Sequence, residues 1–352
     1  MAAEGFEETA DSVRSVKDRV TRRVRHAALI EVANDELVNN IVFRDRDRSI
    51  DDRKTDIAAR WLGSTYTSTP KVRLEGPYRR VIVVSDYHGT VHPFIEQWLL
   101  NNTYDICIHA GDILDSWSLH KSRLEGKSLT QQERATTIDE EIQTMRAWFE
   151  ILDEKTEAEH IVLMGNHDAR LYAQFVRLLD PILRSESLLS RMFITPLELL
   201  TQGLHQFKLG SRPMQWTYPD NSSELAATSQ YLYEVGDALV SHMNFTGSQP
   251  GTAVNKLWQW IQTYRLPLQL SHIRLALQAH THSLMLDKNC QGGSVHLVET
   301  GCAMRSTAAG YGLVYNGNWT PAAVGLVSFD QFLEDSQWVT RLNSVKLQGV
   351  TA

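Results

Sequence analysis

Two carboxylates, one amide and four imidazoles stand where apolar runs of the chain end, and side chains of these types can gather around a cation. SDYH carries Asp86 and His88, and AGDILD carries Asp112 with Asp115 behind it. GNHD carries Asn166, His167 and Asp168, SHMN carries His242, and AHTH carries His280 and His282. One histidine after a strand is commonly a capped or satisfied side chain. Five strand-end segments that each offer hard oxygen or imidazole donors form a different pattern, because metal sites are assembled from several such ends. Asp86/His88 and His280/His282 share a two-residue offset, which in extended chain points both side chains the same way. Seven donors (Asp86, His88, Asp112, Asn166, His242, His280, His282) are too many for one tetrahedral ion. They suit two ions about 3.5 Å apart that share a bridging carboxylate. Mixed nitrogen and oxygen donors fit Mn, Fe, Zn or Ni and do not favour Mg or Ca. The expected cofactors are therefore two divalent cations, with Mn the first choice.

The elements that must position these donors follow from the apolar patterning. RRVIVVS (79–85), YDICIHA (104–110) and HIVLMG (160–165) are short apolar runs that end in polar residues, as central strands covered on both faces do. HPFIEQWLLNN and the stretch around TTIDEEIQTMRAWFEILDE read as helices between them, which implies a parallel βαβ start. Later strands are expected at DALVSHM, IRLALQAH, SVHLVET and AVGLVSFD, closer together and more hairpin-like. The fold class is a layered α/β fold with its site at the carboxyl ends of the strands. Residues 1–76 read differently. Val13, Val16 and Val20, then Ala27, Ile30, Ala33 and Leu37, recur at helical spacing, and RDRDRSIDDR is a solvated linker. A helical N-terminal extension is expected there.

Composition excludes other classes. The chain has 352 residues, 42% hydrophobic and 22% charged, with a formal net charge of -7. That is ordinary globular composition and not a nucleic-acid-coating protein, although a local basic channel stays open. Cys107, Cys290 and Cys302 form neither a disulfide framework nor a zinc ribbon. With no apolar leader and no stretch of membrane-spanning length, a soluble cytoplasmic protein without membrane contact is expected. Nothing in the sequence speaks to oligomeric state.

In order, D-x-H, GD-x-x-D, GNH-D, a lone His and H-x-H resemble the signature of the calcineurin-like metallophosphoesterases, over residues from about 79 to 343. One departure is Ala279, where the family usually has Gly before H-x-H. A closer likeness is to phosphoesterases of phage and prophage type, carried by DSWSL (115–119), GNHDARL (165–171), ETGCAMRS and NWTPAAVGLVSF. The resemblance implies an αββα sandwich over 77–343, preceded by the 1–76 extension and followed by a tail, 344–352. It implies that Asp86, His88 and His282 hold a first metal, that Asn166, His242 and His280 hold a second, and that Asp112 bridges. It makes His167 the proton donor to the leaving group, oriented by Asp168, and lets Arg170 contact a phosphate oxygen.

The implied reaction is hydrolysis of a phosphate ester, with a phosphodiesterase acting on nucleic acid or nucleotides as the first reading. A phosphomonoesterase or protein phosphatase with the same centre is the second. Protein phosphatases of the family usually carry GD-x-x-D-R-G, and here Ser116 and Trp117 follow Asp115. A non-catalytic binding module is the third, and a complete ligand set argues against it. Among other candidates, His109 inside an apolar run reads as a satisfied core histidine, and His120 as a surface residue. Trp258 and Trp260 read as packing residues of an amphipathic helix. Trp117 reads as loop packing, with base stacking as its functional alternative. The long region 171–236 is expected to shape the cleft.

Overall fold

The computed structural model describes residues 77–115, 138–169, 196–210, 231–247, 249–266, 268–304 and 322–350. The helical extension over 1–76, Trp117, His120, Arg170, and most of the region 171–236 lie outside the described residues.

The first strand, β1 (Tyr78–Val84), alternates its apolar residues between two covered faces. Val81 and Val83 enter one core and Ile82 and Val84 another. Parallel to β1 runs β2 (Ile106–Ala110), then β3 (Glu159–Leu163), then β4 (Phe207–Leu209). Helices α1 (Pro93–Asn101) and α2 (Ile138–Lys155) make the crossovers that parallel neighbours require. A short α3 (Pro196–Thr201) precedes β4. Pro93 opens α1, and the His92 side chain accepts from the Phe94 N–H at its start.

On the other side of β1 lies the antiparallel β10 (Gly325–Glu334), joined by β11 (Gln337–Thr340) and β12 (Lys346–Gly349). The expected tail 344–352 thus holds a strand of this sheet. The second sheet has the order β5-β6-β7-β9-β8, with β5 (Leu232–Val235), β6 (Ala238–Ser241), β7 (Leu275–Gln278), β8 (Leu284–Asp287) and β9 (His296–Thr300). The hairpin-like expectation for the later strands is corrected here. β6, β7 and β9 pair in parallel, because α4 (Thr252–Thr263) carries the chain back between β6 and β7. Hairpin geometry is confined to the flanking β5–β6 and β10–β11 pairs and the antiparallel β8–β9 pair.

Among the described residues three cores define the layers. Ile106, Ile108 and Ile161 of the first sheet meet Val240, Leu277 and Val298 of the second, so the sheets pack face to face. Ile95 and Leu99 of α1 and Trp148 and Phe149 of α2 cover the outer face of the first sheet. Val254, Leu257 and Ile261 of α4 cover that of the second, with Trp258 and Trp260 packed at its margin. The result is the αββα sandwich. Among the described residues no helix is long and apolar enough to cross a membrane.

Candidate metal centre

Because β1, β2 and β3 are parallel in one sheet and β6 and β7 in the other, the donor-bearing loops leave from strand carboxyl ends. Backbone bonds knit these loops together. Asp86 N–H donates to Gly111 O at 3.1 Å, and Tyr87 and His88 N–H both donate to Asp112 O at 2.9 Å. The TGC segment, noted in the sequence, stitches the next pair. Gly301 N–H donates to Ser283 O, Ala303 N–H to Ser85 O, and Met304 N–H to Asp86 O. Gly111 has φ 79°, and a Cβ there would strike the His242 ring. A Cβ on Gly165 would strike Asp112. The glycines of GD and GN are therefore required by the close approach of the loops.

Nine described non-glycine residues have positive φ, and five of them are Asp86 (56°), His88 (48°), Asp112 (49°), His280 (78°) and His282 (55°). Such backbone costs about 1–3 kcal/mol per residue and persists where the surroundings over-determine it. It turns each of these side chains inward. Asp86, His88 and His282 form one group and Asp112, His242 and His280 a second, each with ligand atoms within 4.8 Å of one another. In the first, His282 Nε2 lies 3.3 Å from Asp86 Oδ1 and 3.0 Å from His88 Nε2. In the second, His242 Nε2 lies 3.2 Å from Asp112 Oδ2. The same Asp112 oxygen is 3.9 Å from His88 Nε2, so it faces both groups.

Hydrogen-bond accounting tests whether these atoms suit a cation. Asp86 Oδ1, Asp112 Oδ2, Asn166 Oδ1, His242 Nε2 and His280 Nδ1 are buried without a hydrogen-bond partner. An orphaned buried acceptor is costly, by about 1–3 kcal/mol each. His88 Nδ1 donates to Asp115 Oδ1 and His242 Nδ1 to Ala110 O, so in the neutral rings both Nε2 atoms are lone pairs. Carboxylate oxygens and imidazole nitrogens that converge at this spacing, several of them with no hydrogen-bond partner, suit a bound cation.

Electrostatically, the two carboxylates and His242 are tightly coupled. Burial pushes the Asp86 carboxyl up, but His242 and His282 outweigh it and hold it at about 2, against the opposition of Asp112. Asp112 is also held well below the usual carboxylate range, its burial outweighed by His242, His167 and His88. His242 is driven down by burial and up, more strongly, by Asp112 and Asp86, to about 10. His280 is lowered to about 4 by burial and by His242.

His167 lies beside the groups, with Nε2 3.9 Å from Asp112 Oδ2 and its N–H on Asp112 Oδ1. The expectation that Asp168 orients it is corrected. His167 Nδ1 donates to Asp115, at 2.7 Å from the backbone O and 3.1 Å from Oδ1. Asp168 instead accepts from the backbone N–H of Ile113, Leu114 and Gly165. The reason is backbone geometry: the GNHD turn folds the Asp168 carboxylate under the AGDIL loop. Burial first, then Asp112, raises Asp168 to about 7. Sequence reasoning missed Asp115 as the shared partner of His88 and His167, although the last residue of GD-x-x-D marked it. It also missed Glu141 of α2, which accepts the Asp115 N–H at 2.8 Å and for which the sequence carries no signal.

Solved structures that resemble the chain include Vps29 from Cryptosporidium parvum, 12% identical over 79% of this chain and 100% of that one, with a TM-score of 0.32. A predicted phosphoesterase from Streptococcus pneumoniae is 12% identical over 78% and 98%, with a TM-score of 0.27. A metallophosphoesterase from Sphaerobacter thermophilus is 12% identical over 77% and 88%, with a TM-score of 0.30. No curated protein matches. The family model for calcineurin-like phosphoesterases matches residues 79–284, the span from β1 through H-x-H. That span is more than half of the chain, and the chain belongs to the calcineurin-like phosphoesterase family of metal-dependent hydrolases.

Proposed function

We propose that the chain hydrolyses phosphodiesters of the nucleic-acid or nucleotide class at a centre of two divalent ions, with Mn as the first choice and Fe, Zn or Ni as alternatives. The observation that carries this reading is the five buried donor atoms of Asp86, Asp112, Asn166, His242 and His280 without a hydrogen-bond partner, set about two His/Asp groups that Asp112 Oδ2 faces together. Asp86, His88 and His282 would hold the first ion, Asn166, His242 and His280 the second, and Asp112 would bridge. Bound there, two such cations would supply a nucleophile at neutral pH and neutralise charge on the phosphoryl oxygens.

The chain's own part in the reaction is orientation and proton delivery. Asp115 holds His167 Nδ1–H, which leaves Nε2 as the atom turned toward the cluster. A proton on Nε2 would pass to the departing alkoxide oxygen. Asp168 supports this from behind by tying the GNHD and AGDIL loops together. Arg170, proposed to bind a phosphate oxygen, lies outside the described residues.

Diester rather than monoester chemistry is supported by the Ser116–Trp117 pair, which stands where protein phosphatases usually have Arg-Gly, and by the likeness to phage-type phosphoesterases. A cytoplasmic setting is supported by three free thiols. Turnover of bis-p-nitrophenyl phosphate, p-nitrophenyl phosphate, cyclic nucleotides and single-stranded DNA, each with Mn, tests the reading. Faster turnover of the diesters is expected. Preference for the monoester would transfer the chain to the phosphomonoesterase reading, and no turnover of any ester would favour a binding module.

A further inference from the structure

Behind the Asp86–His88 loop, on the helix-covered face of the first sheet, runs a line of buried polar side chains, half-buried at its far end, with no part in the chemistry above. Tyr87 Oη lies 2.7 Å from His109 Nδ1, and His109 Nε2 lies 3.0 Å from His160 Nδ1. His160 Nε2 lies 2.8 Å from Thr156 Oγ1, whose hydroxyl donates to Leu152 O at 2.8 Å. The line therefore runs from α2 through β3 and β2 to the turn between two metal-ligand candidates.

Its direction is fixed from the far end. A carbonyl only accepts, so the single Thr156 proton goes to Leu152, and His160 Nε2 must donate to Thr156. Burial pushes His109 well below its ordinary value and His160 down to about 3, so each ring is neutral and carries one proton. His160 Nδ1 then accepts, His109 Nε2 donates to it, and His109 Nδ1 accepts the Tyr87 hydroxyl. Phe207 stacks on His160 at 4.4 Å and 9°, and Tyr87, His109 and His160 are fully buried. Trp148 neighbours the Tyr87 hydroxyl and Tyr104 neighbours Thr156, but an indole N–H only donates, so it leaves the Tyr87 proton for His109. Cys107 Sγ lies within 4.8 Å of a ring nitrogen of each imidazole. Burial pushes its thiol far up, and a buried thiol in apolar surroundings is inert.

Tyr87 sits between two residues at positive φ. A turn strained on both sides persists where its surroundings over-determine it, and the pinned Tyr87 side chain adds to the backbone bonds that hold it. We propose that the Tyr87–His109–His160–Thr156 chain is a one-way positioning device for Asp86 and His88, and that affinity for the first ion depends on a hydroxyl committed to His109. The proposal rests on the reading that Asp86 and His88 hold an ion.

The test uses the full chain, stripped of metal and titrated calorimetrically with Mn2+, with imidazole tautomers read from 15N chemical shifts. Wild type should bind two ions and show Nε2–H at both His109 and His160. Tyr87→Phe should weaken one binding step about tenfold, the lower end for partners that orient ligands, and leave the other step within about twofold by the same reasoning. Thr156→Val, at the far end and distant from any ligand, should weaken the same step in the same direction. It keeps the test open if Tyr87→Phe folds poorly. Unchanged binding in both variants would overturn the proposal while leaving the metal reading intact. So would an Nδ1–H tautomer at either ring, or a third ion whose binding removes the His109 and His160 N–H signals. A wild-type chain that binds no ion would sink the metal reading itself, before any variant is compared.

Discussion

Asp115 takes the Nδ1–H of His167 twice over, at 2.7 Å on its backbone oxygen and 3.1 Å on its carboxylate. The same carboxylate oxygen lies 3.1 Å from His88 Nδ1, so one side chain orients a metal-ligand candidate and the proton-donor candidate together. Its own N–H is held by Glu141. Asp115→Asn should therefore lower both kcat and affinity for one ion, by roughly 10–100-fold, the range for lost partners of ligating histidines. Steady-state kinetics alongside Mn titration checks this. Loss of kcat with metal affinity unchanged would confine Asp115 to His167.

His167→Ala separates proton donation from metal holding. General acid catalysis is worth roughly 10²–10⁴-fold, and p-nitrophenolate leaves with little help from a proton. The variant should keep its metal content, lose about that factor on a natural diester, and lose clearly less on the activated one. Equal losses on both esters would make His167 a residue that positions phosphate.

Asp168 satisfies three backbone N–H groups, those of Ile113, Leu114 and Gly165. Asp168→Ala leaves all three buried and unpaired, at about 1–3 kcal/mol each. Urea unfolding should show a loss of at least about 3 kcal/mol. A stable variant with only kcat reduced would return Asp168 to a direct part in catalysis.

The buried imidazoles set an acid limit on stability. His160 is depressed to about 3 by burial, and His109 shifts the same way. Below about pH 6.5, the ordinary histidine value, the unfolded chain takes up a proton that folded His160 refuses. The stabilisation is thus complete above the unfolded value and falls as pH drops toward the folded one. Between pH 7 and 5 the loss is about 2 kcal/mol for one such ring. In metal-free protein, His160→Gln should flatten the pH dependence of urea unfolding by that amount. An unchanged slope would mean that His160 is charged in the folded chain.

The layered fold and the donor set were legible because each donor follows a run apolar enough to be a strand with both faces covered. Once those strands are parallel, their ends share an edge. The pairing of β6 with β7 was less legible, since strand spacing alone hides the crossover that α4 makes. Asp168 was assigned to His167 by adjacency. In the turn after β3 adjacent side chains diverge, and the carboxylate that reaches the imidazole comes from the loop after β2. Glu141 was invisible because a helix reveals its buried face through apolar residues, and a buried acid there reads as a solvated one. β12 is hard to read from sequence because it is only four residues long and pairs on a single side.

Asp112 Oδ2 faces both donor groups, and the two-ion account stands or falls on it. The decisive measurement is the metal content of Mn-loaded wild type and Asp112→Asn by elemental analysis, with bis-p-nitrophenyl phosphate turnover on the same samples. Two ions per chain in wild type, and loss of most metal and nearly all turnover in the variant, are predicted. Two ions retained by Asp112→Asn, or turnover by wild type stripped of metal, would contradict the account.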